Sequence, residues 1–360
     1  MKYLITQFKN NRITNLNQLQ QLLNNPRTPA RKYQTVTSLR DENTPNLAVI
    51  IPQEVRNRIN TLYNTLELLN QAIPENEKHE HFTVFQIPKA SGGFRTIKAP
   101  NDDLKTAYSQ VAHDLSAGIK MLVHDNAYAY IPSRNVYDAV ARHQKNESQW
   151  FLKLDIEKFF DNCSTQVIEN MLGWVYPLCF YPELIKELAK FATWENQLPQ
   201  GTPLSPILTN ILMIPFDYFL SKKLEKQGFI YTRYADDILI SHKDSFAFSG
   251  IIGQITHLFE ALNLPFKIKE EKTRYGNRSG RNWNLGLMLN KDNNITLGHK
   301  FKKQIKIILF QTATGRLPDH DPHNIGLFSY LKQIEPRYYK MLDEYAMRKY
   351  HRSIVSILNP

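Results

Sequence analysis

The stretch FIYTRYADDILIS, residues 229–241, sets two acids side by side between two runs of aromatic and β-branched residues. Such runs favour strands and Asp is depleted in them, so the segment reads as a hairpin with Asp236 and Asp237 at its turn. An Asp pair of this kind most often does no more than make the turn. It becomes a site when other carboxylates reach it, and FLKLDIEKFF at 151–160 supplies one. Asp155 ends an apolar strand where the chain is predicted to enter a helix, and alone it would serve as a helix cap. Two strands that each end in Asp, neighbours in one sheet, would bring these carboxylates together. They repel unless a hard divalent cation sits among them, and two such ions make a phosphoryl-transfer site. Because successive strand residues face opposite sides, Asp236 is expected as the bridging ligand beside Asp155, with Asp237 peripheral.

The rest of the chain bounds the fold around that site. Its 360 residues suffice for two or three domains with substantial cores, and the net charge of +11 favours a polyanionic partner. Two cysteines, Cys163 and Cys179, are too few for a disulfide framework or a Cys-based zinc site, so a reducing, cytoplasmic setting is expected. Nothing offers about 18 uninterrupted apolar residues, and no membrane partner is expected. Residues 1–80 are polar and rich in Asn, Gln and Leu, with helical stretches near Asn15–Asn24 and Pro52–Ile73. Residues 81–100 alternate on either side of Ser91-Gly92-Gly93, as a hairpin requires. Helices are predicted over 103–123, 204–225 and 245–262, and WNLGLML and NNITLG are short strand candidates. Strands and helices alternate without regular βαβ spacing, which makes the fold class α+β. In the last sixty residues Lys300, Lys302, Lys303 and Lys306 crowd the start of one helix. Arg337, Lys340, Arg348, Lys349 and Arg352 interleave with Tyr338, Tyr339, Tyr345 and Tyr350 in another. A lysine run is commonly a solvated face, whereas aromatics beside cations suit nucleic-acid strands.

Taken in order, FLKLDIEKFF, PQGTPLSP and YADD resemble the three central palm motifs of reverse transcriptases. FQIPKASGGFRTIKAPNDDLK resembles the fingers motif of bacterial enzymes of the retron and group II intron type. KTR at 272–274 and NLGLML at 284–289 resemble the segments that close the palm, and NIGLFSYLKQIEPRYYKML at 324–342 resembles the thumb. The resemblance covers roughly 80–350. It implies a right-hand polymerase with an N-terminal helical extension over 1–80, fingers and palm over 81–298 and a helical thumb over 299–360. The implied activity is RNA-directed DNA synthesis: a DNA or RNA primer is extended with dNTPs on an RNA template, expected to be a structured non-coding RNA. Two Mg²⁺ ions are implied, with Mn²⁺ as an alternative, and the setting would be a bacterial retroelement or antiphage defence, with an effector protein as a further partner.

Residue by residue, the resemblance gives both metals to Asp155 and Asp236, helped by the Ile156 carbonyl, with Asp237 completing the cluster. Phe160 matches the bulky position that excludes a ribose 2′-hydroxyl; the alternative is that Phe159 and Phe160 are both core. Lys89 and Arg95 match the cations that neutralise a triphosphate, or are simply exposed hairpin charges. Gln200 matches the residue beside the new base pair; Gly201 permits close backbone approach and Pro203 fits the first turn of a helix. Lys272 resembles the palm lysine that protonates departing pyrophosphate, with Lys267 and Lys269 near it in sequence. Leu285 and Gly286 match the primer-grip hairpin, Arg134 a template contact, and Lys300, Lys302, Lys303 and Lys306 a thumb grip on the duplex backbone, salt-dependent and indifferent to sequence. His143 is similar to a retron motif histidine, although a lone His on an amphipathic helix is more often structural. Where retron enzymes carry Val-Thr-Gly, the corresponding stretch is here Asn294-Ile295-Thr296-Leu297-Gly298, with Leu inserted. Group II intron enzymes continue into a maturase segment, so a stand-alone bacterial enzyme is expected. RNA-dependent RNA polymerases and template-independent nucleotidyl transferases share the palm, and a non-catalytic RNA-binding relative would keep the fold. Phe160 speaks against ribonucleotides, and the intact acids against decay.

Overall fold

The computed structural model describes residues 53–89, 92–119, 123–175, 178–278 and 286–359. The helix expected at Asn15–Asn24 and the candidate Leu285 lie outside the described residues. In chain order the elements begin with α1 (Gln53–Ala72), β1 (Phe82–Pro88), β2 (Phe94–Pro100), α2 (Asp102–Ile119), α3 (Val136–Lys145) and β3 (Trp150–Asp155). There follow α4 (Thr165–Leu172), α5 (Pro182–Ala192), α6 (Leu204–Leu212), α7 (Ile214–Glu225), β4 (Ile230–Tyr234), β5 (Asp237–His242) and α8 (Phe248–Ala261). The chain then forms β6 (Arg274–Asn277), β7 (Met288–Leu289), β8 (Ile295–Thr296), α9 (Gly298–Ala313), α10 (Pro322–Ile334), α11 (Pro336–Tyr350) and α12 (Ile354–Leu358). These make two compact units. The first holds the described residues up to Pro132 with Ile156–Lys222 and Ser249–Lys269; the second holds Ser133–Asp155, Lys223–Phe248 and the chain from Glu270 onward.

In the first unit, α1 buries Ile59, Leu62 and Leu66, a helical stripe, and its Asn70 amide donates to the Glu187 backbone and carboxylate on α5. Lys78 follows, and its buried ammonium donates at 2.6 Å to each of the Lys190 and Thr193 carbonyls, with Glu75 at 2.8 Å. It thus caps the C-terminus of α5, where carbonyls lack partners and the helix dipole favours a cation. The hairpin β1–β2 is exposed along most of its length but anchored at its base. Phe82 stacks on Trp194 at 4.6 Å, and the Lys98 ammonium lies 4.4 Å from that ring's centroid. The Lys98 N–H donates to the Gln200 carbonyl at 2.8 Å.

Two helical expectations are corrected here. The chain after Asp155 makes a turn, with Lys158 at φ +48°, and α4 starts only at Thr165, capped by Ser164. Asp155 therefore caps no helix. The helix expected over 204–225 is two, bent by 45° at Met213. Pro215 explains the break: it has no N–H to give to Ile211, and its ring crowds the preceding turn. No single helix among the described residues is long and apolar enough to cross a membrane. The bent pair meets that test by length and composition only, and its Leu204, Leu208, Ile211 and Phe216 are buried in the protein.

The second unit is built on a four-stranded antiparallel sheet in the order β4-β5-β3-β6. Leu152 and Leu154 of β3 and Ile238 and Ile240 of β5 have no exposed surface, which is why the run reads as continuously apolar. Phe151 and Leu239 join one core with Leu287, Leu289, Ile295 and Leu297 around the small β7–β8 sheet and with the C-terminal helices. The helix α3 enters through a reciprocal capping box between Asn135 and Asp138 and buries His143. The imidazole sits between two strands, 2.8 Å from the Thr232 hydroxyl of β4 and 2.6 Å from the Ser241 hydroxyl of β5. His143 is thus part of the core.

Candidate active site

The strand register decides which acids meet. Asp155, the last residue of β3, is paired across the ladder with Asp237, the first of β5. Direct cross-strand partners share a face, so these two carboxylates stand side by side. Tyr234 is the other partner of Asp237, which leaves Ala235 and Asp236 as the two-residue turn. Such turns need positive φ; Ala235 adopts φ +56° without being glycine. The buried Arg233 helps hold it, donating from Nη1 to the Ala235 carbonyl at 3.1 Å. The register makes Asp237 the direct cross-strand neighbour of Asp155, and the turn presents Asp236.

Two lysines balance part of this charge. The Lys272 ammonium, from the short turn before β6, is 2.7 Å from Asp155 Oδ2. Lys153, two residues before Asp155 on the same strand face, reaches Asp237 at 3.1 Å. Asp236 has neither as a direct partner. Burial first, then the neighbouring Asp237 and Asp155, push its carboxyl up to about 6. Among the described residues no three acidic, His or Cys side chains stand close enough to enclose an ion as they are. The donor set nonetheless fits a hard divalent ion: three carboxylates, one raised by burial and by its like-charged neighbours, with no soft or nitrogen ligand. The Ile156 backbone follows Asp155 directly, and its buried side chain lies where the chain bridges to Ile268.

The candidates on the nucleotide side lie in the first unit. Phe159 is buried against Phe266 at 5.2 Å, whereas Phe160 meets Phe159 edge-on and is only half-buried. The two rings therefore divide, one core and one partly open. Gln200 Nε2 donates to Asp161 Oδ1 at 3.2 Å, a partner that sequence reasoning missed. Gly201 is at φ +128°, and a Cβ there would come within 2.8 Å of the Lys98 carbonyl. The close approach expected at this glycine is thus made to the β2 backbone. Lys89 and Arg95 are exposed on the hairpin.

Of the nucleic-acid candidates, Arg134 precedes the α3 cap and Gly286 turns at φ +93° before the buried Leu287. Lys300, Lys303 and Lys306 are exposed on α9. Lys302 is not among them: its ammonium is 2.6 Å from Glu335 and lies over the Tyr338 ring.

An antiparallel sheet that sets acids at the end of an inner strand and at the adjoining hairpin turn is the palm architecture of a right-hand polymerase. Residues 87–301 match the family model for reverse transcriptase (RNA-dependent DNA polymerase), and the chain belongs to that family. It is an RNA-directed DNA polymerase, with RNA as its template partner. The family uses divalent metal ions. The chain is 28% identical over 286 residues to the retron Ec73 reverse transcriptase of Escherichia coli, covering 76% of this chain and 89% of that one. With the retron Mx65 reverse transcriptase of Myxococcus xanthus it is 27% identical over 282 residues, 72% of this chain and 63% of that one. Its backbone is similar to apo telomerase from Candida tropicalis at a TM-score of 0.50 and 14% identity, covering 79% of this chain and 56% of the telomerase.

Proposed function

We propose that the chain extends a primer 3′-hydroxyl with dNTPs at the Asp155, Asp236 and Asp237 cluster, using two Mg²⁺ ions, in the cytoplasm of a bacterium. The observation that carries this is the register pairing Asp155 with Asp237 while the turn presents Asp236 beside them. These three carboxylates, with the Ile156 carbonyl, would hold the ions; when bound, the ions supply Lewis-acid stabilisation of the attacking and leaving oxygens. The protein's own groups do the remainder. Lys272, 2.7 Å from Asp155, is placed to give a proton towards the departing pyrophosphate. By resemblance to the family, Lys89 and Arg95 neutralise the triphosphate, Gln200 orients the nucleotide, and Phe160, half-buried here, excludes a 2′-hydroxyl.

On this reading residues 81–298 are fingers and palm, 299–360 the thumb, and 1–80 a helical extension, of which α1 meets α5 through Asn70. Similarity to retron enzymes supports a structured non-coding RNA as template and a retroelement or defence setting with an effector protein. The test is primer extension on an RNA template with Mg²⁺, with Mn²⁺ and with chelator, offering dNTPs or rNTPs. Asp236→Ala is expected to lower incorporation about a thousandfold while leaving the unfolding midpoint within a few degrees. Full activity in that variant would discard the assignment.

A further inference from the structure

The segment where this chain departs from Val-Thr-Gly lies between β8 and α9, and one carboxylate at the α10–α11 junction gathers its polar groups. Glu335 Oε1 accepts from the Thr296 hydroxyl at 2.9 Å and from the Leu297 N–H at 2.8 Å. Glu335 Oε2 receives Lys302 of α9 at 2.6 Å, and the same ammonium lies 4.7 Å from the Tyr338 ring centroid on α11. The Gly298 N–H closes the loop on the Thr296 hydroxyl at 3.3 Å. The inserted Leu297 is itself buried, in the core that also contains Leu331 and Ile334 of α10. The Glu335 side chain is only 14% exposed and Lys302 24%, so these are charge-assisted bonds shielded from water, unlike the loose pairs of a solvated face. A single side chain thus pins the end of β8, the first turns of α9 and the start of α11 to one another.

We infer that Glu335 is a positioning residue: it latches the C-terminal helices to the end of β8 and so sets how long the enzyme holds the template–primer duplex between nucleotide additions. Lys302 serves this latch and contacts no phosphate. The inference rests on the reading of 299–360 as the thumb. Its physical basis is that a duplex grip made of separate helices is only as firm as the joint between them. Pre-setting that joint removes an ordering cost from binding.

The experiment uses the full chain and an annealed RNA template with a DNA primer. Glu335→Ala is expected to raise the duplex off-rate about tenfold, the worth of one charge-assisted bond, and to shorten products made in the presence of a trap. Single-nucleotide addition at saturating duplex should stay within about twofold. Glu335→Gln keeps an oxygen for Thr296 and Leu297 but loses the ion pair, and should fall between; it guards against a variant that merely fails to fold. Lys302→Met should raise the off-rate without changing the slope of log affinity against log salt, and the double variant should be no worse than Glu335→Ala alone. A slope reduced by about one in Lys302→Met would mean that it holds a phosphate, and would overturn the inference. Unchanged off-rates in both Glu335 variants would do the same. Absence of salt-dependent duplex binding in the unmutated enzyme would instead remove the thumb reading itself.

Discussion

His143 offers the sharpest energetic test of how the site is held. It is wholly enclosed, between the Thr232 and Ser241 hydroxyls and beside the Phe151 ring, and burial, followed by the Arg142 charge, lowers its pKa to about 3. An unfolded histidine titrates near 6.5, so the folded state binds fewer protons wherever the pH lies between these values. Stability is therefore fully present above about pH 6.5 and is lost progressively as the pH falls toward 3. At pH 5 the unfolded imidazole is protonated in roughly a thirty-to-one ratio and the folded one is neutral, a loss of about 2 kcal/mol relative to pH 7.5. The figure holds for any folded value below about 4, because only the unfolded state has titrated by then. The assay is hydrogen exchange at the β3 and β5 amides at pH 7.5 and 5, corrected for intrinsic exchange, in the protein and in His143→Gln. Gln can keep bonds to both hydroxyls but has no proton to gain. The opening free energy of the unmutated protein should fall by about 2 kcal/mol more than that of the variant. Equal losses would refute the claim that this histidine is held neutral.

Other outcomes follow from the same geometry. Gly201→Ala must place a methyl 2.8 Å from the Lys98 carbonyl at φ +128°, and should cost at least about 2 kcal/mol in urea unfolding. Exchange of the Lys98 amide should accelerate with it. Phe160→Val should raise the rNTP to dNTP incorporation ratio by roughly 10- to 100-fold, measured by steady-state primer extension. An unchanged ratio would remove Phe160 from the nucleotide site.

The hairpin and its acids were legible because alternation is a strong local signal and Asp interrupts it at one place. Legibility stopped where the partner is far away in sequence. Lys153 looks like a polar interruption within Phe151–Leu154, yet i and i+2 on a strand share a face, and that rule already set it beside Asp155. The turn after Asp155 was missed because Ile156-Glu157-Lys158-Phe159-Phe160 has helical composition, although Ser164 was an available cap. Pro215 likewise announced the break between α6 and α7. No local pattern marks Lys78 as the cap of α5, Asp161 as the partner of Gln200, or Glu335 as the hub at Thr296. Each is a charged residue on an ordinary polar stretch, and only the tertiary fold decides which charge is enclosed. The glycine at 201 shows the converse: its need for close approach was readable, and the identity of what approaches it was not.

The sheet face that carries the acids is graded along its length, and this bears on how three carboxylates remain together. Ser241, Leu239 and Asp237 succeed one another on that face of β5, opposite Phe151, Lys153 and Asp155 of β3. At one end Ser241 is sealed against His143; at the other the Asp237 side chain keeps 17% of its surface. The sealed end is held by neutral hydrogen bonds and apolar packing, which do not change with ion binding or nucleotide charge. Repulsion among the acids is confined to the open end, where Lys153 and Lys272 offset part of it and, after burial, it adds to the raised pKa of Asp236. A site whose charges alone held its shape would deform each time a triphosphate arrived and left. Here the backbone register is fixed by groups that have no stake in that charge, so strain at the turn, seen in the left-handed Ala235, is borne by the packing behind it.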